Sequence, residues 1–399
     1  MLSNILQVPD KQIGRNIETF LATTGRNHWD KMIEKIETTK GYYYKVYLYK
    51  RNPLAKAIMY YNWLSKTGRS IWKNINEDIH LLGSTSYLFN YLYKNLETNS
   101  KNILIGRIRE DDIRSFLFEF RIVTHFFRNM AEIEFVDYLD KRQNKYSFDF
   151  FVKNKEKEFE VECKYKDYDS KRKITRPGLY LLTDRIMQEV DVSHFNCIVS
   201  FEFKESLTKD YNKQKKIIEN LYNKITSNNW SRTEYDDYYL EIIPVEFNMP
   251  LDSANKMTDY IKPYYIDNSH FSFLCSKRNN FIIRFLTPGN EKLVDGIYES
   301  IKKAAIQFSK NKAAIIACHI EGIYPEEWNV LKDEGGLYNM TNHFLFKEEN
   351  NFIHSVIYSS APGSIMNKRI YELSVPYLTF KNLNTIFYNN YNTKELINL

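Results

Sequence analysis

At 399 residues the chain is too long for one small core, and two or three domains are expected. Hydrophobic residues at 43% and aromatics at 16% exclude a disordered chain, and the net charge of +6 is compatible with a polyanionic partner without requiring one. Cys163, Cys197, Cys275 and Cys318 have neither CxxC nor Cys/His spacing, which argues against a structural zinc and makes a reducing cytoplasm the default location. Nowhere do 18 apolar residues run together, and Met1 to Asn16 lacks the layout of a signal peptide, so no membrane span is expected.

In chain order, residues 1–105 read as a mostly helical N-terminal region. Its better segments are His28–Ile36, Ala55–Ser65 and Thr85–Leu96, with breaks at Arg51-Asn52-Pro53 and Lys66-Thr67-Gly68. The basic and aromatic mixture from Lys40 to Arg51 suits either a nucleic-acid surface or an ordinary strand or helix with tyrosine tips outside, and the second reading is preferred. Asp111 to Met130 carries Ile113, Phe116, Leu117, Phe120, Val123, Phe127 and Met130 at helical spacing, with Glu119 at the edge of the stripe. A carboxylate there needs a partner, either a cation such as Arg114 or Arg121 or a metal ion. Ala131 to Leu139 reads as a strand.

The stretch from Tyr146 to Lys166 has the alternation of a β-hairpin with two unlike faces. Tyr146, Phe148, Phe150 and Val152 alternate with Ser147, Asp149, Phe151 and Lys153, and Phe159, Val161, Cys163 and Tyr165 alternate with Glu158, Glu160, Glu162, Lys164 and Lys166. A loop centred between Lys155 and Glu156 sets Phe150 opposite Val161, Val152 opposite Phe159 and Lys153 opposite Glu158. The same register sets Asp149 opposite Glu162. Two carboxylates so placed repel, so the arrangement calls for a raised carboxyl pKa or a divalent cation, and Mg²⁺ binds through one or two carboxylates with water and phosphate oxygens.

An Asp followed by Glu-x-Lys on the next strand of a hairpin resembles the PD-(D/E)xK nuclease superfamily, which is restriction-endonuclease-like and has an α-β-β-β-α-β core. Here the residues are Phe148-Asp149 and Glu162-Cys163-Lys164, without the proline, and the match spans about residues 110–203. The resemblance implies an α/β (α+β) nuclease core at 106–205, with Leu179–Val190 as its next helix and Phe195–Phe203 as its last strand. It implies a Mg²⁺-dependent endodeoxyribonuclease, Mn²⁺ substituting, in which Asp149, Glu162 and Glu119 hold the metal and Lys164 assists. Restriction or antiphage defence is the setting the family implies, with DNA as partner and a homodimer or an activating subunit as further expectations.

The loop after the hairpin carries Lys166, Lys171, Arg172, Lys173 and Arg176, a basic run expected to bind phosphates. Residues 206–399 are expected to form a further α/β region: a helix at Leu207–Ile225, strands at Tyr239–Phe247, His270–Ser276 and Asn280–Leu286, a helix at Glu291–Ser309, then strands at Ala313–Ile320, Phe344–Lys347 and Phe352–Tyr358. His319, His343 and His354 lack ligand spacing and read as structural, and no P-loop is present. The competing readings are a nuclease-like fold that binds nucleic acid without cutting, and a sensor or interaction subunit whose hairpin charges are surface.

Overall fold

The structure, a computed structural model, describes residues 10–74, 76–96, 98–128, 131–136, 148–154, 157–166, 174–192, 194–207, 210–246, 256, 260–264, 269–275, 279–286, 293–321, 336–359 and 377–387. The chain opens with helices α1 (Asp10–Thr24), α2 (Arg26–Glu37), α3 (Tyr42–Arg51), α4 (Pro53–Lys66), α5 (Glu77–Asn95), α6 (Thr98–Ile108) and α7 (Arg114–Arg128). Strands β1 (Glu132–Phe135), β2 (Phe150–Asn154) and β3 (Lys157–Lys166) follow. Next come α8 (Arg176–Glu189), β4 (Cys197–Phe203), α9 (Tyr211–Thr226), β5 (Thr233–Glu234), β6 (Tyr238–Pro244), β7 (Ser269–Cys275) and β8 (Asn280–Leu286). The described chain ends with α10 (Leu293–Ala305), β9 (Ala313–Ile320), α11 (Gly336–Leu345), β10 (Ile353–Ser359) and β11 (Tyr377–Lys381). The architecture is mixed α/β with two mixed sheets among the described residues.

Two units divide the chain, one made of Met1–Thr38, Tyr49–Tyr168 and Val294–Leu399, the other of Thr39–Leu48 and Asp169–Leu293. The linear division at 105 and 205 read from the sequence therefore differs from the division by contacts, in which the second unit is inserted between β3 and the body of α10.

In the first unit the N-terminal region is helical as expected, and its boundaries have local causes. Asn52 caps α4 by accepting from Ala55 N at 3.0 Å, and Pro53 follows at the first turn, where a missing N–H does no harm. Asn76 does the same for α5 through Ile79 N at 3.0 Å, which starts that helix a full two turns before Thr85. The Lys40 to Arg51 mixture contains helix α3, of which the part up to Leu48 belongs to the second unit.

The first unit's sheet runs β1-β2-β3-β9-β10-β11. Strands β2 and β3 pair antiparallel with Phe150 opposite Val161, Val152 opposite Phe159 and Lys153 opposite Glu158, the register read from the alternation. Strand β9 lies parallel between β3 and β10, and every one of its residues is buried, as a strand covered on both faces requires. Helix α7 packs on this sheet, with Phe118 5.1 Å from the His319 ring and Phe126 6.3 Å from Phe150.

One placement needs correction. The helix and strand expected to complete the hairpin's sheet, Leu179–Val190 and Phe195–Phe203, correspond to α8 and β4, and β4 belongs to the other sheet. The strand that pairs with β3 is β9 instead, and α10 precedes it in the chain. The physical reason is that β4 and β9 are both largely apolar strands, and a strand of that kind does not say which sheet it enters. A second correction concerns Phe344–Lys347, where α11 reaches Leu345. Leu337, Thr341, Phe344 and Leu345 are buried at helical spacing, a pattern that four residues taken alone do not reveal.

The second unit has the sheet order β5-β6-β4-β8-β7, with β4 and β8 parallel and its other pairs antiparallel. Helices α8 and α9 cover one face, where Leu182, Ile186, Ile217 and Leu221 meet Val199, Phe201, Leu240 and Phe285. Asp184 of α8 caps α3 from outside that helix, accepting from Tyr43 N at 2.9 Å and Tyr44 N at 2.8 Å.

Candidate active site

The site forms where β2 begins and β3 passes it. Asp149 stands just before β2, and its backbone N–H donates to Val161 O at 3.0 Å. Its side chain then takes over part of the ladder's work, Oδ2 accepting from Cys163 N at 2.8 Å. That bond fixes the carboxyl against the backbone between Glu162 and Lys164.

Glu162 is 3% exposed, and Lys164, two residues on and so on the same face, donates to its Oε1. The same ammonium donates to Gln307 Oε1, in the turn that follows α10. Lys164 is thus held from two elements.

Glu119 of α7 is also 3% exposed. Arg107 of α6 meets it end-on, Nη1 donating to Oε1 at 2.6 Å while Nη2 pairs with Oε2. Arg114 is engaged elsewhere, bridging Asp112 and Glu321. Burial works against the Arg107 guanidinium, but the charge and hydrogen bond of Glu119, with the charges of Asp149 and Glu110, outweigh it and hold its pKa above the ordinary arginine value.

The Cys163 thiol shows how closely these groups gather. Its pKa is pushed well above the usual thiol range, first by burial and then by the charges of Asp149, Glu119 and Glu162, with Arg107 opposing. A single side chain therefore feels all three carboxylates. Asp149, Glu162 and Glu119 act on it together with Arg107, which the sequence did not single out, while Lys164 joins the group through Glu162 and Gln307 through Lys164.

Neighbouring buried polar groups have structural partners. Glu160 accepts from Ser309 N at 2.8 Å and from Ser309 Oγ, which ties β3 to the turn before β9, and burial raises its pKa in spite of those bonds. His319 of β9 stacks on Tyr165 at 5.3 Å and shares a 2.9 Å hydrogen bond between Nδ1 and Ser359 Oγ. Burial, with Arg121 and Arg114 adding to it, lowers its pKa to about 3.

Among the described residues no group of three or more His, Cys, Asp or Glu is arranged to hold a metal ion. The donors that remain suit a hard divalent cation of the Mg²⁺ type, since Asp149 and Glu162 supply two carboxylates and such an ion fills its other positions with water and phosphate oxygens. Glu119 does not fit as a third ligand while Arg107 holds both of its oxygens. Of the basic run, Lys171, Arg172 and Lys173 lie outside the described residues, Lys166 ends β3 in the first unit and Arg176 opens α8 in the second. No helix among the described residues is long and apolar enough to cross a membrane. Compared with protein-family models, with curated proteins and with solved structures, the chain finds no match in any of the three.

Proposed function

We propose that the protein is a metal-dependent endonuclease that hydrolyses DNA phosphodiester bonds on a PD-(D/E)xK-like core, with restriction or antiphage defence as its setting. The observation that carries this reading is the Asp149 Oδ2 to Cys163 N bond, which puts an aspartate against the middle of Glu162-Cys163-Lys164. The order α7-β1-β2-β3-α10-β9 supports it, because a discontinuous core of that kind has the element sequence the chemistry is expected to stand on.

Asp149 and Glu162 would hold a Mg²⁺ ion, Mn²⁺ substituting. When bound, such an ion polarises a phosphate oxygen and lowers the pKa of a coordinated water. Lys164 supplies a fixed cation beside the two carboxylates, suited to charge that builds on phosphoryl oxygens. Gln307 orients Lys164 from the far side, so that the ammonium stays placed if Glu162 is drawn to a metal.

A non-cleaving nucleic-acid-binding protein on the same frame is the second reading. It is favoured by one observation, the closure of Glu119 by Arg107.

Cleavage of supercoiled plasmid and single-stranded DNA in Mg²⁺ or Mn²⁺ separates the two. The proposal expects cutting by the parent that disappears in Glu162→Ala and Lys164→Ala proteins of unchanged circular dichroism. DNA binding without product at any metal concentration favours the second reading.

A further inference from the structure

Resting on the nuclease reading above, we infer that Arg107 is a phosphate-binding residue of the site and that its pair with Glu119 is a resting position, from which an arriving phosphodiester takes the guanidinium.

The geometry leaves the arginine half used. A guanidinium has five N–H donors, and the end-on pair with Glu119 engages one hydrogen on each Nη. Among the described residues its only other contact of note is the Phe116 ring, 5.6 Å beneath it. A third of the Arg107 side chain is exposed, whereas Glu119 is almost wholly covered. The Arg107 side chain therefore retains some access to solvent, whereas Glu119 has almost none. A fork that fits a carboxylate fits a phosphate equally well.

Charge gives the direction of the exchange. Asp149 acts on Arg107, which places the arginine within the field of the carboxylates proposed to hold the metal. Three carboxylates, Asp149, Glu119 and Glu162, act on Cys163 with Arg107 opposing them, and Lys164 pairs with Glu162, so the group carries a formal balance of one negative charge. A divalent cation and one phosphodiester add +2 and −1, which brings the total to zero. Each cation of the resting site is parked on a buried carboxylate, an arrangement suited to an anionic ligand that has yet to arrive.

The test is fluorescence anisotropy of a labelled DNA oligonucleotide in EDTA and again in Ca²⁺, with thermal melts on the same samples. The variants are Arg107→Ala, Arg107→Lys, Glu119→Gln and the double Arg107→Ala/Glu119→Gln. Glu119→Gln removes the competing charge, so it is expected to bind about threefold tighter than the parent in EDTA, and Arg107→Ala about tenfold weaker. Arg107→Lys keeps the charge without the fork and should fall between, and the double variant should match Arg107→Ala. If Glu119→Gln melts lower but gains no affinity, the pair is structural and the inference is overturned. Parental affinity in a folded Arg107→Ala protein overturns it too. Should Arg107→Ala fail to fold, Glu119→Gln and Arg107→Lys decide by the same criteria. A parent that cuts DNA while Glu119→Gln binds no tighter sinks this inference alone, whereas a parent that neither binds nor cuts sinks the nuclease reading and this inference with it.

Discussion

The carboxylate of Asp149 accepts the backbone N–H of Cys163 at 2.8 Å, tying the residue that opens one arm of the hairpin to the middle of the Glu-Cys-Lys triplet on the other. Asp149→Asn keeps an oxygen acceptor for that N–H and should leave the melting temperature nearly unchanged. Asp149→Ala leaves the N–H without this partner, a loss of about 1–2 kcal/mol. Both should lose metal-dependent cleavage. Melting curves run beside plasmid cleavage check the split, and an Asn variant that cuts like the parent would remove Asp149 from the chemistry.

Lys164 neutralises a carboxylate that is 3% exposed. Truncating one member of a buried pair costs about 3–5 kcal/mol, and since Lys164 is a quarter exposed solvent screens part of that, so Lys164→Ala should lose about 2 kcal/mol. The double variant Glu162→Gln/Lys164→Met removes both charges and should regain most of it. Urea unfolding of the singles and the double measures the coupling, and strict additivity would show that the pair contributes nothing to the fold.

His319 keeps its neutral form in the fold, with a pKa near 3 against an ordinary value of 6.5. As pH falls below 6.5 the unfolded chain takes up this proton before the folded one does, so stability drains between pH 6.5 and 3. The part due to His319 amounts to about 3 kcal/mol by pH 4. In His319→Gln the slope over that window should flatten by this amount. Denaturant titrations at pH 7 and pH 4 give the difference, and equal slopes in parent and variant would contradict the buried neutral imidazole.

Helix α3 owes its first turn to Asp184, which occupies both the Tyr43 and the Tyr44 N–H. Asp184→Ala should cost about 2 kcal/mol, the upper range for a lost cap. Gly41 sits just ahead with φ +95, a conformation that side chains other than glycine rarely adopt, and a Cβ there would come within 2.4 Å of Asp184 Oδ2. Gly41→Ala should therefore be at least as damaging. Amide hydrogen exchange at Tyr43 and Tyr44 reports both, with faster exchange in each variant than in the parent.

What could be read from the residues was local. The pairing of Phe150 with Val161 follows from period-two alternation and a short loop, and the stripe on α7 follows from a spacing of three and four, because each signal lies within one element or two joined by a tight turn. The choice between β4 and β9 as the strand beyond β3 was not legible. Both are largely apolar strands, and parallel pairing across an inserted unit is decided by tertiary packing. The partner of Glu119 was missed for a related reason. Arg114 and Arg121 are near it in sequence, whereas Arg107, which meets it, lies on the preceding helix, and Gln307 in the turn after α10 meets Lys164 with no spacing signal at all.

Strand β3 is complete at Lys166, yet the strand that lies along it begins only at Ala313. A chain leaving the ribosome therefore carries the finished hairpin while the whole second unit is made, roughly 10–30 s at ~5–20 residues per second. Throughout that interval one long edge of β3 is open to any passing strand. Glu160 and Glu162 belong to the stretch that β9 later pairs with, and charged side chains on an open edge discourage pairing between copies. The sheet beneath the site therefore closes only once about the last fifth of the protein begins to emerge.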